Sequence, residues 1–214
     1  MTLSELTTRE NEWLDRHPSR GFMEEKDALC KEEGIYDVWR EIFAEYVALA
    51  GPGDLEALKR ALFLAWYEMA EPSHLSGLYL LDAEAKKEVF QMLEDFARQD
   101  QLDEELKWML PYYYSIADWY LKSEFEAVRK ASERNVKLWR TGCLNASFEN
   151  RGQLGRYWTS IQDGQKRERS KLPFLRLESR IGRTIIAARV AWRDFVHRWR
   201  HSHRVPGERP NERH

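Results

Sequence analysis

The stretch LKWMLPYYYSIADWYL, Leu106–Leu121, decides how this chain is read. It holds two Trp, four Tyr and an internal Pro. At about 100° per residue, Leu106, Met109, Leu110, Tyr113, Ala117, Tyr120 and Leu121 fall on one face of a helix. That stripe keeps its phase across Pro111, which predicts one kinked helix rather than two. Pro111 cannot donate to the carbonyl of Lys107, and its ring crowds that turn, so the bend is expected there. Trp108, Tyr112 and Trp119 form a second stripe on the opposite side, with Ser115 close to it. One apolar face suffices for a surface helix; two imply burial from both sides or an exposed aromatic surface. Large aromatics mostly serve packing, so a central core helix is the first expectation. The functional alternative is a groove where Tyr hydroxyls and indole N–H groups meet a ligand or partner.

The sequence on either side of this stretch is also helical. Ile35, Val38, Trp39, Ile42, Phe43, Tyr46, Val47 and Ala50 keep helical spacing. Gly51-Pro52-Gly53 stops that helix, and Asp54 caps the next, whose stripe is Leu55, Leu58, Leu62, Ala65, Trp66 and Met69. So short a connection between long helices predicts an antiparallel hairpin. Phe63, Leu64 and Tyr67 lie off the stripe and predict burial on more than one side. Thr7 and Glu10 have capping-box spacing for a short N-terminal helix. Asp82 and Asp103 are expected caps, and Ser123 with Glu126 forms a further capping box. Ser73–Leu81 is apolar around Gly77 and reads as a buried loop or a single turn. These segments predict an all-α fold: a compact multi-helix bundle of antiparallel hairpins around the Pro-kinked central helix, with a basic helical C-terminal extension.

The composition changes at Gly142. Residues 1–142 carry 18 Lys+Arg against 29 Asp+Glu, a net of −11. Residues 143–214 carry 16 against 7, a net of +9. Residues 143–178 are rich in Gly, Gln, Arg and Ser and are expected to be a linker or weakly ordered. Residues 179–200 read as a basic amphipathic helix with Trp192 on its apolar face and Arg183, Arg189, Arg193, Arg198 and Arg200 beside it. Residues 201–214 are expected to be a disordered tail.

Motifs for chemistry are weak. Glu71 and His74 match the E-x-x-H spacing of di-iron bundles, but a second copy is missing and Pro72 breaks the helix that would present the pair. His197 and His201 stand at i, i+4 among arginines that repel a cation. No nucleophile elbow or Gly-rich phosphate loop occurs. No cofactor and no metal are therefore expected. Two cysteines, Cys30 and Cys143, are too few for a disulfide framework and read as free thiols. The N-terminus has no apolar leader segment, and no uninterrupted apolar run approaches about 20 residues. A cytoplasmic protein is expected.

These features favour a non-catalytic helical protein-interaction module, adaptor- or inhibitor-like, with an aromatic and acidic surface. Trp108, Tyr112, Trp119, Tyr114, Glu68, Glu71 and His74 are its candidate binding residues. One alternative is an anionic-surface binder, for nucleic acid or membrane, using the Arg/Trp-rich C-terminal helix. A second is an enzyme with a pocket beside the Pro111 kink, lined by the Tyr112–Tyr114 run with Glu68, Glu71 and His74.

Overall fold

Single aspartates set three of the helix starts. Asp54 accepts the N–H groups of Glu56 and Ala57 at 3.0 Å, Asp82 that of Ala85 at 2.7 Å, and Asp103 that of Leu106 at 2.8 Å. All three were expected from sequence. The computed structural model describes residues 1–170 except positions 17, 19–21, 52, 142, 143 and 145, and the side chains at 122, 123 and 167–170 are not described. Among the described residues there are nine helices and no strand. They are α1 (Leu3–Leu14), α2 (Met23–Glu32), α3 (Ile35–Ala50), α4 (Leu55–Ala70), α5 (Ser73–Ser76), α6 (Ala83–Arg98), α7 (Glu104–Glu124), α8 (Glu126–Thr141) and α9 (Gly152–Ser170). The all-α bundle is the observed fold.

Two capping expectations are corrected. The first helix begins earlier than the Thr7/Glu10 spacing suggests. Thr2 is its N-cap and exchanges a capping box with Glu5. Thr7 and Glu10 lie inside the helix, and Glu10 is buried. At α8 the first free N–H groups are met by Glu94 of α6, whose carboxylate accepts Ala127 N–H at 3.0 Å and Val128 N–H at 2.9 Å. Local spacing pointed to Ser123, which lies within α7 (Glu104–Glu124), so the carboxylate serving these N–H groups comes from another helix.

The most enclosed helix is α4. Every residue from Ala57 to Trp66 is buried, including Lys59 and Arg60. It packs against α3, α5, α6, α7 and α9. The sequence expectation that its C-terminal half is covered on several sides holds for Phe63 and Leu64. Helix α7 shares the centre and packs most extensively on α8. Its non-helical dihedrals fall at Ala117 (φ −111°, ψ 28°), six positions beyond Pro111. The carbonyl that an unbroken helix would offer to Ala117 N–H belongs to Tyr113, and it accepts the Trp66 indole N–H at 3.2 Å. A side chain bonding into the i→i−4 ladder is a recognised cause of such a break.

Within the stretch expected to be a linker, residues 152–170 form α9. Helix α9 buries Leu154 and Trp158 and packs on α1 and α4. Its many Gly, Gln and charged residues hide a sparse i, i+4 apolar pair. The expected basic helix at 179–200 and the tail at 201–214 lie outside the described residues. No helix among the described residues is long and apolar enough to cross a membrane.

Candidate functional site

A chain of buried and half-buried charges links five helices. The Tyr46 hydroxyl (α3) donates to Glu10 Oε2 (α1) at 2.7 Å. Arg60 Nη1 (α4) donates to Tyr46 at 3.0 Å and to Thr7 at 2.9 Å, and lies 3.5 Å from Glu10. Arg60 Nε then meets Glu56 at 2.9 Å. Arg151, just before α9, grips Glu56 at 2.8 and 2.5 Å and reaches Glu105 of α7 at 2.7 Å. Lys59 closes the series on Glu105 at 3.2 Å and Asp103 at 2.5 Å. Burial pushes the Glu10 carboxyl above the ordinary carboxylate range; bonds from Tyr46, Gln153 N–H and Arg60 oppose that shift. Every charge in this series has a partner, which marks it as a device that orients helices. No periodicity or spacing signals it, because its members are far apart in the chain.

Beside this network lies an aromatic cluster. Trp66 on α4, Trp108, Tyr112 and Tyr113 on α7, Trp139 on α8 and Tyr157 and Trp158 on α9 pack ring against ring, mostly tilted, with centroids 4.8–6.3 Å apart. Tyr113 is its hub: besides taking Trp66 on its carbonyl, it accepts Trp158 Nε1 on its hydroxyl at 2.9 Å. The Tyr112 and Tyr157 hydroxyls meet at 2.7 Å.

A pocket of about 310 Å³ opens where the cluster meets α1, α3 and α5. Trp39, Tyr67 and Tyr157 give it aromatic walls, Leu14 and Leu75 apolar ones. Ser76, Gln153 and Arg156 complete the lining. Two lining residues carry buried polar atoms without a hydrogen-bond partner: the donor Trp39 Nε1 and the acceptor Gln153 Oε1. Such an orphan costs about 1–3 kcal/mol. Gln153 Nε2, at the other end of the same amide, donates to Ser76 O at 2.6 Å. Burial raises the Tyr67 hydroxyl to about 12, so it is protonated at neutral pH. A larger cleft of about 880 Å³ lies along α1 and α9 and is polar; its Arg151 and Arg156 are paired with Glu56 and Asp15.

The structure separates the residues singled out from sequence. Trp108 is fully buried, 4.8 Å from Trp139 and 5.0 Å from Trp158 in ring centroids. Tyr112 is half-buried under α8 and α9. The expected second stripe is thus core at Trp108 and half-buried at Tyr112. Beyond the break at Ala117, Trp119 stands 65% exposed. Tyr114 is half-buried. Glu68 accepts Leu81 N–H at 2.8 Å and pairs with Lys86 at 2.6 Å, so it fastens the loop before α6. Burial raises the Glu71 carboxyl, and its charge in turn helps raise Tyr67, Tyr112 and Tyr157. His74, on α5, is lowered by burial and by Lys26. Among the described residues no group of three His, Cys, Asp or Glu could hold a metal. Arg183, Arg189, Trp192, Arg193, Arg198 and Arg200 lie outside the described residues.

What the sequence missed is the exposure of apolar side chains along the α5–α6 segment. Leu75, Tyr79 and Leu80 in the α5–α6 segment are all exposed, and so is Leu29 on α2, which packs against α5. Tyr79 leans on Tyr36 at 5.3 Å, and its carbonyl accepts Arg40 at 3.3 Å. Leu80 is 66% exposed at φ +52°, a left-handed conformation that a bulky residue adopts at a cost. The apolar spelling of SHLSGLYLL predicted burial; only Ser76, Gly77, Leu78 and Leu81 are buried.

No protein family, curated protein or solved structure matches this chain.

Proposed function

We propose that this chain is a non-catalytic helical protein-interaction module whose contact surface centres on Leu75, Tyr79 and Leu80. The observation that carries this reading is Leu80. It holds a strained left-handed backbone and still turns most of its side chain to water. Strain kept at an exposed apolar residue favours a binding role over a packing one. The surroundings suggest the partner's chemistry. Glu32 and Glu33 at the end of α2 and Asp82 and Glu84 at the start of α6 are exposed, whereas Lys31 is paired with Asp27, Arg40 with Asp37 and Lys86 with Glu68. The expected occupant is a protein presenting apolar anchors framed by Lys and Arg, drawn in by complementary charge. Trp119 is the member of the sequence-derived aromatic set that remains available as a second anchor.

The test is cross-linking of the full chain in its own cell extract, followed by titration calorimetry with the purified partner. Substituting Leu75→Asp together with Leu80→Asp is expected to weaken binding at least about thirtyfold, the effect of an interface hot spot. Added salt should weaken it further. Undiminished binding by that double variant overturns this location. So does binding that Trp119→Ala abolishes while the Leu75/Leu80 double variant leaves it intact, which would place the contact on α7.

A further inference from the structure

Glu71 ends α4 as its C-cap, with its N–H on the Tyr67 carbonyl at 2.9 Å. Its carboxylate is half-buried, and among the described residues it accepts no hydrogen bond and forms no ion pair. Its position adds to the cost of the charge, since the last carbonyls of a helix form its negative pole. Three tyrosines gather beside it. Tyr67 lies one turn back on α4, its ring 5.3 Å from that of Tyr157, and the Tyr157 and Tyr112 hydroxyls meet at 2.7 Å. The Glu71 charge acts on all three hydroxyls and raises each of them. All three side chains are half-buried and keep some surface. Basic side chains on the helices packed against α4 are committed elsewhere: Lys86 to Glu68 at 2.6 Å and Arg156 to Asp15 at 2.5 Å. His74, on α5, answers to Lys26, Asp27 and Glu24.

An unpaired carboxylate, the negative end of a helix and electron-rich ring faces all favour the same kind of ligand, a cation. A guanidinium suits them better than an ammonium, because it is planar, stacks on aromatic rings and meets a carboxylate with two N–H groups. We propose that Glu71, with Tyr67, Tyr112 and Tyr157 beside it, seats the guanidinium of an Arg side chain on the partner protein. The seat adjoins the proposed contact surface, since Tyr67 and Tyr157 line one pocket with Leu75. It deepens the partner reading given above and rests on it: one of the basic side chains expected around the apolar anchors is held here.

The probe is N-acetyl-arginine methylamide, against N-acetyl-citrulline methylamide, which has the same outline and no charge. Each is titrated into the full chain at low salt, and the tyrosine ring resonances are followed by NMR. The arginine probe is expected to saturate with a Kd below about 10 mM. The citrulline probe should bind about tenfold weaker, the difference made by a hydrogen bond between charged groups. Glu71→Gln should remove that difference, whereas Glu84→Gln, at an exposed carboxylate of α6, should preserve it. Tyr67→Leu keeps the carboxylate and takes away a ring, and should weaken the arginine probe about threefold. No saturable binding of the arginine probe overturns the seat. So does a preference for arginine that survives Glu71→Gln, which places the probe at another carboxylate. The Leu75/Leu80 double variant tests the partner surface separately: partner binding lost there, with no arginine preference at Glu71, removes the seat and leaves the surface standing.

Discussion

The carboxylate of Glu10 on α1 caps α9: Gln153 N–H donates to Glu10 Oε1 at 2.9 Å across 143 positions of sequence. Gly152 makes the approach possible. Its φ is +59°, and a Cβ there would stand 1.8 Å from Glu10 Oε2. Substituting Gly152→Ala is expected to cost about 3 kcal/mol or more, because it strains the backbone and displaces a buried carboxylate. Glu10→Ala leaves Arg60 buried without that partner and should cost about 3–5 kcal/mol. Glu10→Gln keeps the acceptor and should cost less. Urea unfolding of the three variants gives the order, and equal stability of Gly152→Ala and the wild type would refute the cap.

Glu94 serves α8 as Glu10 serves α9. Glu94→Ala is expected to lose about 1–2 kcal/mol, the size of a lost N-cap on a part-buried helix. Glu94→Gln, which keeps an acceptor oxygen, should lose less. Thermal unfolding followed by circular dichroism separates the two. Equal stability of Glu94→Ala and the wild type would refute the cap.

Trp158 and Trp119 should behave oppositely. Trp158 is fully buried and bonded to Tyr113, so Trp158→Ala is expected to cost about 3–5 kcal/mol. Trp119→Ala should change stability by no more than about 0.5 kcal/mol. Chemical denaturation is the measurement.

Glu71 carries a pH signature. Burial raises its folded-state pKa above the unfolded value, so the folded chain holds the proton longer as pH rises. Its contribution to stability is then fullest below the unfolded value and is lost as pH climbs through the folded one. Glu71→Gln should therefore raise Tm at pH 7 relative to wild type, with the gain fading near pH 4. A gain that is constant with pH would mean the carboxyl is not perturbed in this way.

Leu80 separates stability from recognition. Leu80→Gly removes the left-handed strain and is expected to stabilise the fold by up to about 1 kcal/mol. The same change should weaken partner binding. Calorimetric Tm and affinity measured side by side would show the trade.

Helix positions were largely legible in the chain because periodicity and aspartate caps act within a few residues. The stripes of α3 and α4 and the caps Asp54, Asp82 and Asp103 needed no tertiary information. The order of α9 was not legible. A Gly- and Gln-rich segment becomes a helix here because Glu10 caps its start and Tyr113 receives its Trp158. The pocket was not legible either, since it is assembled from α1, α3, α4, α5 and α9.

The sequence by itself determined the all-α class, the acidic body and the aromatic richness of Leu106–Leu121, since local propensity and hydrophobic period depend only on neighbours in the chain. Tertiary structure decided what those aromatics do. It turned Trp108 into core, half-buried Tyr112, left Trp119 outside, and set the helix break at Ala117, whose i−4 carbonyl, Tyr113, takes the Trp66 indole N–H. A residue's face on a helix follows from spacing; whether another helix covers that face depends on contacts between distant segments.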